Sequence, residues 1–191
     1  MKCSIDDMWG AQLIEINEFD SAIALKPFDG RSFRDAVMLY NSGCDIRYAT
    51  GTDEFVPTSE VMSRLGFAGS DSNSFAAGIY LRDVQETRGE TDDMFVGMVS
   101  GIVSGRAVWL RQLSILPGQR RKGLGSRAAQ LVFEYLKQNR RVSVVFISVV
   151  DKNLPGLCFW KKLGFIVISS LEKKLFSGGQ RHNVIIMQKK L

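Results

Sequence analysis

The sequence predicts an α/β (α+β) domain built on a mixed central sheet of about seven strands with helices on its faces. Three features carry that expectation. Met94 to Val103 and Ala107 to Leu116 are apolar runs joined by Ser104–Gly105–Arg106, the signal of a tight antiparallel hairpin. Leu124 to Gln138 is amphipathic at helical spacing and leads into the β-branched run VSVVFISVV, Val142 to Val150, so a β-α-β unit follows the hairpin. Phe165 to Leu175 and Asn183 to Gln188 then read as a second hairpin that closes the chain.

Residues 1–20 are mixed in character and predict a short helix or an N-terminal arm. Ala22 to Lys26 is a short strand before the Pro27 to Gly30 turn. Ser32 to Leu39 forms a helix, with Phe33, Ala36, Val37 and Tyr40 at helical spacing. A second helix starts near Pro57, with Thr58 or Ser59 as its cap and Val61, Met62 and Leu65 turned inward. Gly66 to Ser74 is a loop by composition, Phe75 to Val84 a strand, and Gln85 to Asp93 a polar hairpin loop. On the Leu124–Gln138 helix, Leu124, Ala128, Leu131, Val132, Tyr135 and Leu136 share one face. Val142 to Val150 has the composition of a strand buried on both faces. Asn153 caps a short helix from Leu154 to Leu163, with Pro155 tolerated in its first turn and Gly164 ending it. The element order is β-α-α-β-β-β-α-β-α-β-β, in a single domain over residues 1–191.

Composition narrows the function. The 191 residues are 45% hydrophobic, enough for a sizeable core. No apolar run approaches the roughly 18 residues of a membrane helix, and MKCSIDDMWGAQ lacks the apolar stretch of a signal peptide. The three cysteines, Cys3, Cys44 and Cys158, form no C-x-x-C pair, and with His182 as the single histidine no Cys/His metal cluster is expected. A reducing, cytoplasmic setting fits best. The formal charge of +5 admits a nucleic-acid partner or an anionic small ligand. For Arg140–Arg141 a solvated surface is the preferred reading.

The chemistry concentrates at PGQRRKGLGSR, Pro117 to Arg127. It lies between the strand ending at Leu116 and the helix starting near Leu124. A helix N-terminus offers unpaired N–H groups and partial positive charge. Gly123 and Gly125 remove Cβ atoms that would hold an anion off, and Arg120, Arg121 and Lys122 add full charge, an arrangement suited to a pyrophosphate. Walker A, G-x-x-x-x-G-K-[ST], is absent. The Rossmann pattern is met formally by Gly123, Gly125 and Ala128, but Pro117 to Lys122 separate strand from glycine and no acidic residue ends the next strand.

A third pattern, [QR]-x-x-G-x-[GA], is met by Arg120, Gly123 and Gly125, and here the chain resembles the GNAT superfamily of acetyl-CoA-dependent N-acyltransferases. Family members carry V-x-P-x-x-R-G-K-G-x-G, and this chain has I-L-P-G-Q-R-R-K-G-L-G from Ile115 to Gly125. About 28 residues later the family has N-x-x-A-x-x-x-Y-x-K-x-G-F, and this chain has N-L-P-G-L-C-F-W-K-K-L-G-F from Asn153 to Phe165. The likeness covers roughly residues 94 to 190 and implies the GNAT fold, with residues 107–165 as the acetyl-CoA-binding core. It implies that the loop from Arg121 through Lys122, Gly123, Leu124 and Gly125 to Ser126 binds the CoA pyrophosphate, supported by Arg120. It also implies that the preceding strand splays from its neighbour at a bulge, so that Leu113, Ser114 and Ile115 hold the pantetheine and acyl carbonyl. By the same likeness Asn153 contacts cofactor, and Phe159 and Trp160 pack against pantetheine or core.

The implied reaction is direct attack of an amine on the acetyl thioester, with backbone N–H groups near Leu113 and Ser114 serving the oxyanion. Its catalytic acid and base are left open. The family's tyrosine position holds Trp160, or arguably Phe159, neither of which can donate a phenolic proton, and the Trp160 indole is not a useful acid. Val108 to Gln112 carries no carboxylate where some members have a glutamate. Tyr80 reads better as a core tyrosine, His182 as an exposed loop histidine, Asp92 and Asp93 as a solvated hairpin, and Cys158 as a buried small hydrophobe. The expected acceptor is a small-molecule amine, with a protein N-terminus or lysine as the alternative. No acidic cluster that would favour a polyamine stands out in the sequence. A CoA-binding module with little catalysis is the competing class, and a nucleic-acid-binding domain ranks last. A homodimer is left open.

Overall fold

The computed structural model describes residues 13–42, 54–67, 72–82, 93–177 and 180–191. Cys3, Cys44, Asp92, most of the N-terminal arm, and much of the 66–74 and 85–93 loops lie outside the described residues. In chain order the elements are β1 (Glu18–Phe19), β2 (Ile23–Lys26), α1 (Gly30–Asn41), α2 (Thr58–Leu65), β3 (Ser74–Leu81), β4 (Met94–Ser104) and β5 (Ala107–Ile115). A 3-10 turn, Pro117–Gln119, leads to α3 (Leu124–Arg140), β6 (Val144–Val150), α4 (Leu154–Lys162), β7 (Ile166–Ser177) and β8 (Gln180–Lys190).

These strands form one eight-stranded sheet in the order β1-β2-β3-β4-β5-β6-β8-β7. The extra strand is β1, two residues long. It is made by a turn in which Asp20 Oδ1 accepts from the Ala22 and Ile23 N–H groups at 2.7 and 2.9 Å. Two residues carry no readable period, so this strand is silent in the sequence.

Each face of the sheet has its own core. Strand alternation sends Ala76 and Met98 to one side, under α1 and α2, where Phe28, Phe33 and Phe67 pack mutually at 5.7 to 6.1 Å. Phe75, Ala77 and Val99 point the other way, toward α3 and α4, with Val132, Leu136, Val145 and Ile147. On α3 the buried residues are Leu124, Ala128, Ala129, Val132, Phe133 and Leu136. Leu131 and Tyr135 sit only half-buried at the edge of that stripe. Arg127 in the first turn pairs with Asp20 at 2.9 Å and ties α3 to the β1–β2 turn.

Two local expectations are corrected. Pro57 occupies the cap position of α2, and neither Thr58 nor Ser59 supplies a side-chain cap bond. β6 is not buried on both faces: Val145, Ile147 and Val149 fill the α3 side, while Ser148 is exposed on the other. The helices α1 and α2 cover β3 and β4, and no described helix covers that side of β6.

What matters for function is how β5 meets β6. Ser100 pairs with Gln112 but Gly101 pairs with Leu110, which leaves Arg111 as a bulge in β5. β5 pairs with β6 in parallel only from Ala107↔Val144 to Trp109↔Phe146. The last pair is clasped by a ring stack of Trp109 on Phe146 at 5.3 Å. Beyond it the two strands part, β5 held by β4 and β6 held by β8. Because Leu136 is fully buried where α3 meets the sheet, Leu136→Ala is expected to cost about 2–5 kcal/mol in a denaturant titration.

Candidate functional site

The parting of β5 and β6 leaves a wedge-shaped cavity of about 440 Å³. Its walls are β5 from Leu110 to Ile115 and β6 from Ile147 to Val149. The start of α3 and the start of α4 complete it, the latter through Asn153, Pro155, Gly156, Phe159 and Trp160. The β5 backbone is paired with β4 on one side, and beyond Trp109 it meets no strand on the other.

The loop from Pro117 to Gly123 is shaped for its turn. Arg121 and Gly123 take left-handed φ angles of 62° and 81°. Gly123 is the cap residue of α3 and has no side chain to cap with. Its carbonyl accepts from Ser126 and Arg127, whereas the N–H groups of Leu124 and Gly125 donate to no partner among the described residues. These two donors and the positive end of a 17-residue helix therefore face the cavity. Around Gly125 an added Cβ would lie 3.5 Å from the Phe159 ring, an ordinary contact, so packing alone does not require glycine there.

The cations differ in use. Arg120 Nε donates to the Ile115 carbonyl at 3.0 Å, fixing the loop to the end of β5. Arg121 lines the cavity and is exposed. Lys122 is the one loop residue of the expected set outside the lining, and its Nζ donates to Gln119 Oε1 at 2.7 Å. Asn153 caps α4, its Oδ1 accepting from Gly156 N–H at 3.0 Å, and lines the cavity as well. Trp160 is buried with its ring between Phe159 and Phe165, at 4.8 and 5.1 Å. Leu113, Ser114, Ile115, Leu124, Ser126 and Phe159 also line the cavity.

A parted strand pair with a basic, glycine-containing loop and an uncapped helix at its root presents positive charge and free N–H groups at the root of an open cavity. The family model described as acetyltransferase (GNAT) family matches residues 54–165. The chain belongs to this family. Among solved structures it is similar to a spermidine N-acetyltransferase from Vibrio cholerae in complex with CoA and spermine. That likeness has 17% identity and a TM-score of 0.73, over 90% of this chain and 96% of that one. It is also similar to NAA60 of Arabidopsis thaliana in complex with a bisubstrate analogue, at 15% identity and TM-score 0.65, over 88% and 97%. An alanine N-acetyltransferase of a ribosomal protein from Escherichia coli matches at 14% identity and TM-score 0.63, over 88% and 93%. The chain matches no curated protein sequence.

Measured against this GNAT frame, the side-chain candidates fall away from the cavity. Tyr80 is buried on the α1–α2 face, packed edge-on against Phe95 with Lys26 above its ring, and does not line the cavity. His182 is not an exposed loop residue. It sits in β8, 6% exposed, with Nδ1 4.0 Å from Asp151 Oδ1, and it too is outside the lining. The closing hairpin is longer than its sequence pattern, so residue 182 lies within the ladder. Cys158 is exposed, since α4 turns Trp160 inward and leaves the cysteine outside. Asp93 is not solvated but forms an ion pair with Lys26. Gln112, Ser148 and Lys152 line the cavity and were missed by motif reasoning. Plain alternation in VWLRQLSI would put Gln112 with Val108 and Leu110 on the α3 side, and the Arg111 bulge turns it to the α1–α2 side instead, so the sequence carries no signal for its place.

No group of three or more His, Cys, Asp or Glu among the described residues is placed to hold a metal. Among the described residues no helix is long and apolar enough to cross a membrane. The Tyr80 hydroxyl is pushed up from its ordinary 10 to about 12, chiefly by burial. A hydrogen bond with Ser32 works against the shift, and the carboxylates of Asp29, Asp35 and Asp93 add to it. Since the unfolded tyrosine ionises first, its share of stability is intact below pH 10 and declines as pH rises toward 12. Tyr80→Phe should flatten that alkaline decline in urea titrations at stepped pH.

Proposed function

We propose that this GNAT protein transfers an acetyl group from acetyl-CoA to a primary amine by direct attack. The observation that carries this is the wedge between β5 and β6, rooted on the uncapped N-terminus of α3. The N–H groups of Leu124 and Gly125, with Arg121 beside them, would take the pyrophosphate of CoA. The unpaired edge of β5 at Leu113, Ser114 and Ile115 would run alongside the pantetheine as an added strand does. Phe159 and the buried Trp160 form the apolar side of that channel.

In the chemical step the amine nitrogen bonds to the acetyl carbon, the carbon–sulfur bond breaks, and the proton lost from nitrogen is the one the sulfur takes up. The Leu113 N–H, on the edge of β5 turned away from β4, would hold the carbonyl oxygen as it gains charge, whereas the Ser114 N–H is turned into the β4 ladder. Trp160 stands where the family has a phenol. Its indole, wedged between Phe159 and Phe165, donates no acidic proton. In this reading a water, or another side chain, carries the proton between nitrogen and sulfur.

The acceptor is a small-molecule amine in this reading. The Vibrio cholerae relative, a spermidine N-acetyltransferase held with spermine, supports it. The Escherichia coli relative acts on an alanine of a ribosomal protein and keeps a protein N-terminus as the second reading. Asp29, Asp35 and Asp93 gather near Tyr80, but Asp29 caps α1 and Asp93 is paired with Lys26. A cytoplasmic, reducing setting accords with Cys158 as a free exposed thiol.

The test is acetyl-CoA binding by calorimetry. The wild-type chain should bind, and Gly125→Glu, which sets a carboxylate against the pyrophosphate position, should weaken binding by about a hundredfold or more, some 3 kcal/mol. Its thermal midpoint should stay within a few degrees. Equal affinity in the two proteins would refute the pyrophosphate assignment. Binding without thiol release for any amine would favour a CoA-binding module over an enzyme.

A further inference from the structure

On the α1–α2 side of the sheet, a strip of neutral polar groups lies where β5 leaves β6. Met98 belongs to the α1–α2 core, so by alternation Ser100 points the same way. In register, Ser100 lies opposite Gln112 and Met98 opposite Ser114, which puts the three polar side chains on one face. Ser100 is fully buried, and its Oγ has no hydrogen-bond partner. Gln112 and Ser114 are buried yet line the cavity, and Gln112 Nε2 donates to Ser114 Oγ at 2.7 Å. That bond orients the amide, and its oxygen accepts from no group among the described residues. Leu113 and Ile115 alternate to the opposite, apolar side.

A buried hydroxyl without a partner and an amide oxygen with an open lone pair are rarely left so in a native structure. Of the two, the Gln112 amide lines the cavity where, under the proposed function, an amine must approach the thioester, and Ser100 lies across the ladder beside it, outside the lining. The attacking nitrogen has to be neutral, with its lone pair toward the carbonyl carbon and its N–H bonds turned away. A carboxylate at that place would stabilise the ammonium form and hold its proton. Uncharged acceptors take an N–H without that effect. We propose, resting on the acetyltransferase reading, that Gln112, held by Ser114, is the acceptor subsite. The Gln112 amide oxygen takes one N–H of the neutral amine, and Ser114 holds the amide in place.

The experiment uses the full chain, acetyl-CoA, and two acceptor probes, spermidine and an alanine-initiated peptide, with thiol release as the readout. For the probe that is turned over, Gln112→Leu should raise KM by about tenfold or more while CoA affinity stays within about twofold. Ser114→Ala, which releases the Gln112 amide from its hydrogen bond, should raise the same KM by about threefold. If Gln112→Leu fails to fold, Ser114→Ala alone decides. An unchanged amine KM in either folded variant overturns the subsite. Wild-type protein that binds CoA but releases no thiol with either probe also overturns it, while leaving the cofactor site standing. Wild-type protein that does not bind CoA removes the acetyltransferase reading itself.

Discussion

Everything functional in this molecule depends on how short the parallel pairing between β5 and β6 is. Three residue pairs join the strands, the Trp109–Phe146 stack clasps the last of them, and the Arg111 bulge then turns β5 away. A sheet that stayed zipped would be a seamless eight-stranded layer with no interior opening. Because it parts, buried backbone groups on β5 are left without a strand neighbour in a place water and ligand can reach. Buried peptide groups demand partners. Here that demand becomes a binding surface.

The two halves of the sheet can part because each is held elsewhere. β5 is paired along its length with β4, and β6 with β8 over all seven of its residues. On one face α3 spans the split, its buried stripe meeting residues of both halves such as Val99 and Ile147. The helix that bridges the opening is thus the one whose N-terminus floors it. Stability and the proposed anion site share one element, and Arg120, bonded to the Ile115 carbonyl, fixes the loop between them.

The two sides of the wedge, proposed above for cofactor and acceptor, are built from different chemistry. Toward α3 and α4 the wedge is apolar and aromatic, with Leu113, Ile115 and Phe159 around uncapped N–H groups. Toward α1 and α2 it is polar and uncharged, with Gln112 and Ser114. Strand alternation alone separates the two, since Leu113 and Ser114 are neighbours in sequence and face opposite ways. The ionisable residues that draw the eye in the sequence serve the scaffold instead. Tyr80 and Asp93 brace the α1–α2 layer, and His182 pairs with Asp151 beside the closing hairpin.

The sequence by itself determined the order of elements from β2 onward, the basic glycine loop and its attachment to a helix start, and the Asn153 cap. These are local matters, set by period, turn chemistry and cap geometry, and each is written within a dozen residues. Tertiary structure alone decided the rest. That Cys158 is outside and His182 inside follows from which side of α4 and β8 meets the core. That Ser148 is exposed follows from where α1 and α2 end. The bulge at Arg111 is visible only as a mismatch between two strands, because register is a relation between distant segments. Ser100 and Gln112 sit on the two arms of one hairpin, and only the register of that ladder sets the orphan hydroxyl beside the open amide oxygen that lines the cavity.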